Sequence, residues 1–285
     1  MSGLANISQT DAPPRRVILH CGVQKTGSTS LHRFLTRNTK ALKGRLEVRP
    51  PQRKTPQQEL GRAATRFSLD PSDATGDDLV TAIGALRDKV LEGGSEPCLV
   101  SHENICGAVP GRAGRTRLYP YFPAIARLIV AHMAPLRPEF VLYTRDLDAW
   151  RPSVYAQMVH SDWYTKTMQE FMDDTDDLGD WDGLKASVSK GLGAGKLTMF
   201  RLEDESAPDF PGSQLLRHCG LSDAEIHALR PHTRKSNQRL NAGALEFIRQ
   251  INALELAPRT RTDVVELAVR NQALFNSNST PSGHA

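Results

Sequence analysis

The stretch VILHCGVQKTGSTSLHRFL, residues 17–35, restricts the fold more than any other part of the chain. Val17, Ile18 and Leu19 form a short apolar run rich in β-branched residues, as expected of a buried strand. Gly22 to Thr29 then supplies small residues that let backbone approach a bound anion. From about Ser28 the apolar positions change period: Leu31, Phe34 and Leu35 share one helical face, so a helix is expected to begin there. Unpaired amides at a helix N-terminus, with the positive end of the helix dipole, make a ready anion site. Along the rest of the chain strands and helices alternate, the pattern of a parallel sheet covered on both faces.

Gly22 and Gly27 have the separation of the nucleotide-kinase pattern GxxxxGK followed by Ser or Thr. Ser28, however, stands where that lysine belongs, and Lys25 lies inside the loop instead. A second segment, PEFVLYTRDLDAWRPSVYAQMV at 138–159, carries an apolar strand through Phe140, Val141, Leu142 and Tyr143. Arg145 follows at its carboxyl end, and Ser153 falls on the first turns of the next helical pattern. A guanidinium offers a phosphate a planar fork of donors, and a serine hydroxyl adds a neutral one. Each segment also has an ordinary reading: a Gly/Ser-rich turn that contains a lysine, and an arginine paired with Asp146 or Asp148.

Together the two segments resemble the family of sulfotransferases that use 3′-phosphoadenosine 5′-phosphosulfate (PAPS). GVQKTGSTSL is similar to the family's 5′-phosphosulfate loop, and Arg145 and Ser153 match in type and spacing its 3′-phosphate pair. RPHTRKSNQRLN, residues 230–241, is a weaker likeness of a late basic loop that closes over the nucleotide, without the family's glycines. The resemblance runs through most of the chain in order, loosely in its middle and tail. It implies an α/β, P-loop-NTPase-like three-layer sandwich, with PAPS as donor, no metal in the chemistry, and in-line transfer to a hydroxyl or amine of a carbohydrate or small metabolite. The donor contacts it implies are Gln24, Lys25, Thr26, Gly27, Ser28, Thr29, Arg145, Ser153, Arg234 and Lys235, with Asn237 beside them. Lys25 would also stabilise charge on the leaving phosphate and sulfuryl oxygens. For the base, SHEN at 101–104 resembles an SSEN-like strand end of bacterial members and offers His102 and Glu103 side by side. Strand alternation sends them to opposite faces, and Glu103 is favoured. The alternatives are an ATP-dependent small-molecule kinase, disfavoured by Ser28 and the lack of a separate magnesium site, and a sulfotransferase-like nucleotide-binding protein without turnover.

A chain of 285 residues is long enough for a substantial core. One α/β domain is expected at 15–276, with a loop-rich insertion at 43–75 and flexible tails at 1–14 and 277–285. The net charge of +4 is too mild for a nucleic-acid-binding surface but suits an anionic nucleotide. Residues 1–16 lack an apolar core of signal-peptide length and nothing approaches a membrane span, so a cytoplasmic protein is expected. Cys21, Cys98, Cys106 and Cys219 show neither CxxC nor zinc spacing and read as reduced, buried thiols. The basic residues of 43–66 either border the acceptor site or form a solvated loop, and acceptor choice is expected from loops at 43–71 and 107–119. The acidic run at 170–182 lacks the ligand spacing and closing glutamate of a calcium loop and reads as a solvated turn with helix-capping aspartates. Further helices are expected at 77–91, introduced by Thr75, and at 121–133, 214–219, 223–229, 241–256 and 261–274. A strand is expected within 196–204.

Overall fold

A computed structural model of the chain describes residues 13–193, 196–233 and 240–275. In chain order the regular elements are β1 (Arg16–His20), α1 (Ser28–Leu42), β2 (Glu47–Arg49), α2 (Pro56–Leu69), α3 (Asp73–Leu91), β3 (Cys98–Ser101), α4 (Phe122–His132), β4 (Arg137–Thr144), α5 (Leu147–Ser161), α6 (Met168–Asp174), α7 (Trp181–Leu192), β5 (Leu197–Arg201), α8 (Ser213–His218), α9 (Asp223–His227), α10 (Ala242–Asn252) and α11 (Pro258–Arg270). The five strands form one all-parallel sheet in the order β2-β3-β1-β4-β5, with helices on both faces.

Right-handed crossovers decide which helix covers which face. From β1 the chain moves outward to β2, so α1 lies on one side. Every later connection between strands runs in the opposite direction across the sheet, so its helices lie on the other. The core divides accordingly. Ile18, Leu99, Val141 and Tyr143 pack with Leu31, Phe34 and Leu35 of α1 and with Leu215, Leu216 and Ile226 of α8 and α9. Val17, Leu19, Val100, Phe140 and Leu142 pack with Leu60, Ile83, Ile125, Trp150 and Val188 of α2, α3, α4, α5 and α7. Successive strand residues thus alternate between the two clusters, as the pleat requires. Complete burial of Ile18 or Leu19 contributes about 1.5–3 kcal/mol each relative to exposure.

Several expectations are corrected. The stretch at 43–75 is not loop-rich, since it holds β2, α2 and the start of α3. Pro56 sits in the first turn of α2, where its missing N–H is harmless. Leu60, Ala63 and Ala64 form the buried stripe, while Arg62 and Arg66 pair with Glu59 on the exposed face. Proline and basic residues there mark an amphipathic helix. The N-cap of α3 is Ser72, with Thr75 as its capping-box partner three positions inside. The acidic run holds α6 and the start of α7, although Asp180 does cap α7 by accepting from the Gly183 amide at 2.6 Å. The four cysteines are buried and unpaired. Apart from Pro13 and Pro14, the residues of the expected tails lie outside the described residues, as do Arg234, Lys235 and Asn237. No helix among the described residues is long and apolar enough to cross a membrane.

Candidate active site

Chain direction reverses at the carboxyl end of β1, between β3 and β4. Such switch points leave a crevice in open α/β sheets. The loop of residues 21–27 fills its floor. The Cys21 amide donates to the Val141 carbonyl and carries the β1–β4 ladder one residue past the strand. At Gly22 a side chain would crowd the loop: a Cβ there would come 2.6 Å from Ser28 Oγ and 3.3 Å from the Glu103 Cα. Thr26 Oγ1 donates back to the Val23 carbonyl at 2.5 Å. Lys25 has a φ of 68° and Gly27 a φ of 85°, so a non-glycine residue is held in the left-handed region beside a glycine that accepts it readily.

Three distant side chains hold this shape. Gln24 donates its amide to Asn104 Oδ1 at 2.8 Å and accepts from the Tyr119 hydroxyl at 2.6 Å. Trp150 Nε1 donates to the Gln24 carbonyl at 2.7 Å. The Gln24 side chain is therefore engaged in shaping the loop. α1 then starts at Ser28 with Gly27 as N-cap and no capping side chain, so its first amides point into the crevice with the dipole behind them. Ser28 Oγ is buried without a hydrogen-bond partner among the described residues. Thr29 is exposed on the first turn, and Lys25 is exposed at the loop's tip.

Arg145 follows the last residue of β4, where Asp146 turns the chain into α5 by accepting from the Ala149 amide at 3.0 Å. Its Nη1 donates to Ser153 Oγ at 3.1 Å and to the Lys25 carbonyl at 3.4 Å. Trp181 Nε1 fixes the Arg145 carbonyl at 2.7 Å. Among the described residues no ion pair joins Arg145 to Asp146 or Asp148. The two sequence segments therefore meet in space, bridged by one guanidinium.

The other rim is built from β3 and α1. β3 ends at Ser101, but the His102 amide still donates to the His20 carbonyl at 3.1 Å, so alternation persists past the strand. His102 turns to the α2 side, where its ring fills the space a Cβ on Gly61 would take, at 2.3 Å. Its Nδ1 accepts from the Asn104 amide at 3.1 Å, and burial lowers its proton affinity. Glu103 turns to the α1 side, with Oε2 3.6 Å from His32 Nδ1. His32 Nε2 lies 2.9 Å from Ser101 Oγ, and the same hydroxyl lies 2.7 Å from His20 Nδ1. Burial drives the His20 imidazole down to about 3 and His32 to about 4, the latter against the opposing pull of Glu103.

His20, His32 and Ser101 escaped the sequence reading, although two signals pointed to them. In β1, His20 falls two residues after Ile18, on the face α1 covers. In α1, His32 sits four residues after Ser28 and three before Leu35, at the edge of the buried stripe. A histidine in either position must be buried, and a buried imidazole needs a partner.

A cavity of about 250 Å³ opens beside the loop, lined by Thr26, Gly27, Ser30, Leu31, Leu202 and Pro208 among others. At its base the Tyr143 hydroxyl bonds to the Glu205 carboxylate, which also receives the Gln214 amide at 3.1 Å. No cluster of three or more His, Cys, Asp or Glu suited to a metal ion occurs among the described residues. No protein-family model matches the chain, and no curated protein matches it.

Proposed function

We propose that the chain is a PAPS-dependent sulfotransferase with a P-loop-like fold, transferring a sulfuryl group to a hydroxyl or amine of a carbohydrate or small metabolite. The observation that carries this reading is the Arg145 guanidinium, which touches Ser153 Oγ and the Lys25 carbonyl at once. One cation thereby joins a pair suited to an isolated phosphate to a loop suited to a second anion, as a donor with separate 3′- and 5′-anions requires.

In this reading the 5′-phosphosulfate lies over the amides of Gly27, Ser28 and Thr29, with Thr26 fixing the loop beneath it. The 3′-phosphate lies between Arg145 and Ser153. The cavity at Gly27, Leu31 and Leu202 has the apolar lining a heterocycle needs. Glu103 takes the acceptor's proton as the acceptor oxygen or nitrogen bonds to sulfur, the bond from sulfur to the bridging oxygen breaks, and its electron pair leaves on the 5′-phosphate. Lys25 stabilises that developing charge, an interaction whose removal costs on the order of 3 kcal/mol in the transition state. Glu103 is preferred to His102 because the His102 ring is packed against Gly61 with Nδ1 engaged, whereas the Glu103 side chain is 36% exposed.

The test is calorimetric titration of magnesium-free protein with 3′-phosphoadenosine 5′-phosphate (PAP), compared with AMP and with ATP plus magnesium, and repeated on Arg145→Ala. The expected result is a clear preference for PAP that falls about 10- to 100-fold in the variant, the range for a charge-assisted hydrogen-bonding partner. Preference for ATP with magnesium, indifferent to Arg145, would replace this reading with a kinase.

A further inference from the structure

We propose that His32 is a positioning residue for Glu103, the near end of a buried chain from His20 through Ser101 to His32 that orients the Glu103 carboxylate for proton abstraction. The proposal rests on the sulfuryl-transfer reading above.

The chain has a direction because Ser101 has one proton to donate. With Glu103 ionised, His32 presents Nδ1–H toward Oε2, so its Nε2 must accept from Ser101 Oγ. The Ser101 oxygen in turn accepts from His20 Nδ1–H. His20 Nε2 is then a bare lone pair. It is buried, with no hydrogen-bond partner among the described residues. Protonating Glu103 on Oε2 turns that oxygen into a donor and reverses every link. His20 would then carry its proton on Nε2, and an unmatched buried N–H is the less tolerable of the two ends. The far end of the chain therefore favours the direction in which His32 presents Nδ1–H to Oε2 and leaves the other carboxylate oxygen to face the acceptor. The 3.6 Å separation of His32 Nδ1 and Oε2 is longer than a hydrogen bond; Oε2 is buried with no hydrogen-bond partner among the described residues, and His32 Nδ1 is the donor that faces it.

The surrounding groups leave this polarity to the chain itself. On the β4 side the His20 and Tyr143 rings meet nearly at right angles, 5.7 Å between centroids, and the Tyr143 hydroxyl is turned to Glu205, its proton affinity raised by burial. His32 faces Glu103 and, at longer range, His102, which in turn feels Arg62 of α2. Both histidines of the chain titrate far below neutrality, so the links are neutral dipoles. During turnover the acceptor's proton passes to Glu103 and from there to solvent through the exposed side of the carboxyl group.

The test is carbon-13 NMR of glutamate-labelled protein, with the Glu103 signal assigned through Glu103→Gln. It is recorded at one pH in the wild type, in Ser101→Ala and in His32→Asn. Ser101→Ala deletes one buried oxygen, cuts the chain and is expected to move the Glu103 carboxyl signal, which responds to hydrogen bonding, away from its wild-type position. His32→Asn keeps a donor near the Nδ1 position and is expected to shift it less. PAP calorimetry on the same samples separates the two claims. Failure of the wild type to bind PAP would sink the sulfotransferase reading. An unmoved Glu103 signal in Ser101→Ala, with PAP bound normally, would sink the chain.

Discussion

On the β4 rim of the crevice, Arg145 and Ser153 stand half-buried, and the loop they touch offers amides and a lysine to solvent. On the β3 rim, His20 and Ser101 are almost wholly buried and His32 is mostly so, and the two histidines are neutral. The first rim gathers positive charge that an anion can satisfy on arrival. The second keeps charge out of its interior, where Glu103 is approached by a neutral imidazole. A single sheet achieves both because its pleat sends alternate residues to opposite faces, and α1 serves both rims: its N-terminus opens on the glycine loop, and His32, one turn further on, faces Glu103.

The largest expected break in this contrast is Lys25→Ala. Turnover should fall by about 10²–10³ while PAP affinity falls by no more than about tenfold, because in the proposed transfer the lysine acts on charge that develops at the leaving oxygen. Steady-state kinetics beside calorimetry reads the split, and equal losses in both would make Lys25 a simple binding residue. Next is Gly61→Ala on the buried rim. The new methyl meets the His102 ring at 2.3 Å, so the variant should lose about 1–3 kcal/mol in urea unfolding. Most of that should return in the Gly61→Ala, His102→Ala double variant, and no recovery would show that the helix itself rejects the methyl.

The pH dependence of stability sharpens the electrostatic side of the comparison. His20 and His32 have depressed proton affinities in the folded state, about 3 and about 4, against an unfolded value of 6.5. Below pH 6.5 the unfolded chain therefore binds more protons than the folded one, and stability must fall as pH drops from 6.5 toward 4. Each histidine contributes a slope of up to ~1.4 kcal/mol per pH unit. Urea midpoints at pH 7, 6 and 5 should show this fall, and His20→Gln should flatten it. A flat profile in the wild type would mean the histidines are not desolvated.

Much of the fold was legible because period and punctuation survive in sequence. The strands around Ile18 and Val141, the start of α1 at Ser28, and the Arg145–Ser153 spacing each rest on local pattern, and each appears in the structure. The helix at 56–69 was hidden by its own proline and arginines, whose meaning depends on whether Leu60 and Ala64 find a core to face. Alternation separated His102 from Glu103 correctly even though both lie beyond the strand. The chain behind Glu103 is a different kind of information. Its links join residues 81 and 69 positions apart, and only the β1–β3 register, which sets His20 opposite Ser101, brings them together.

The clamp on Gln24 has a consequence for how the molecule comes into being. Its partners lie 80, 95 and 126 residues further along the chain, at Asn104, Tyr119 and Trp150. Loop closures of that span are slow to form, since their entropy must be met before any contact rewards it. A nascent chain that has folded only its first strand and helix therefore has the glycines and the lysine but not the shape that gathers them. A nucleotide bound as proposed would act as a ligand of the finished fold alone, raising resistance to unfolding in proportion to RT ln(1 + [L]/Kd) while leaving the early steps of folding untouched.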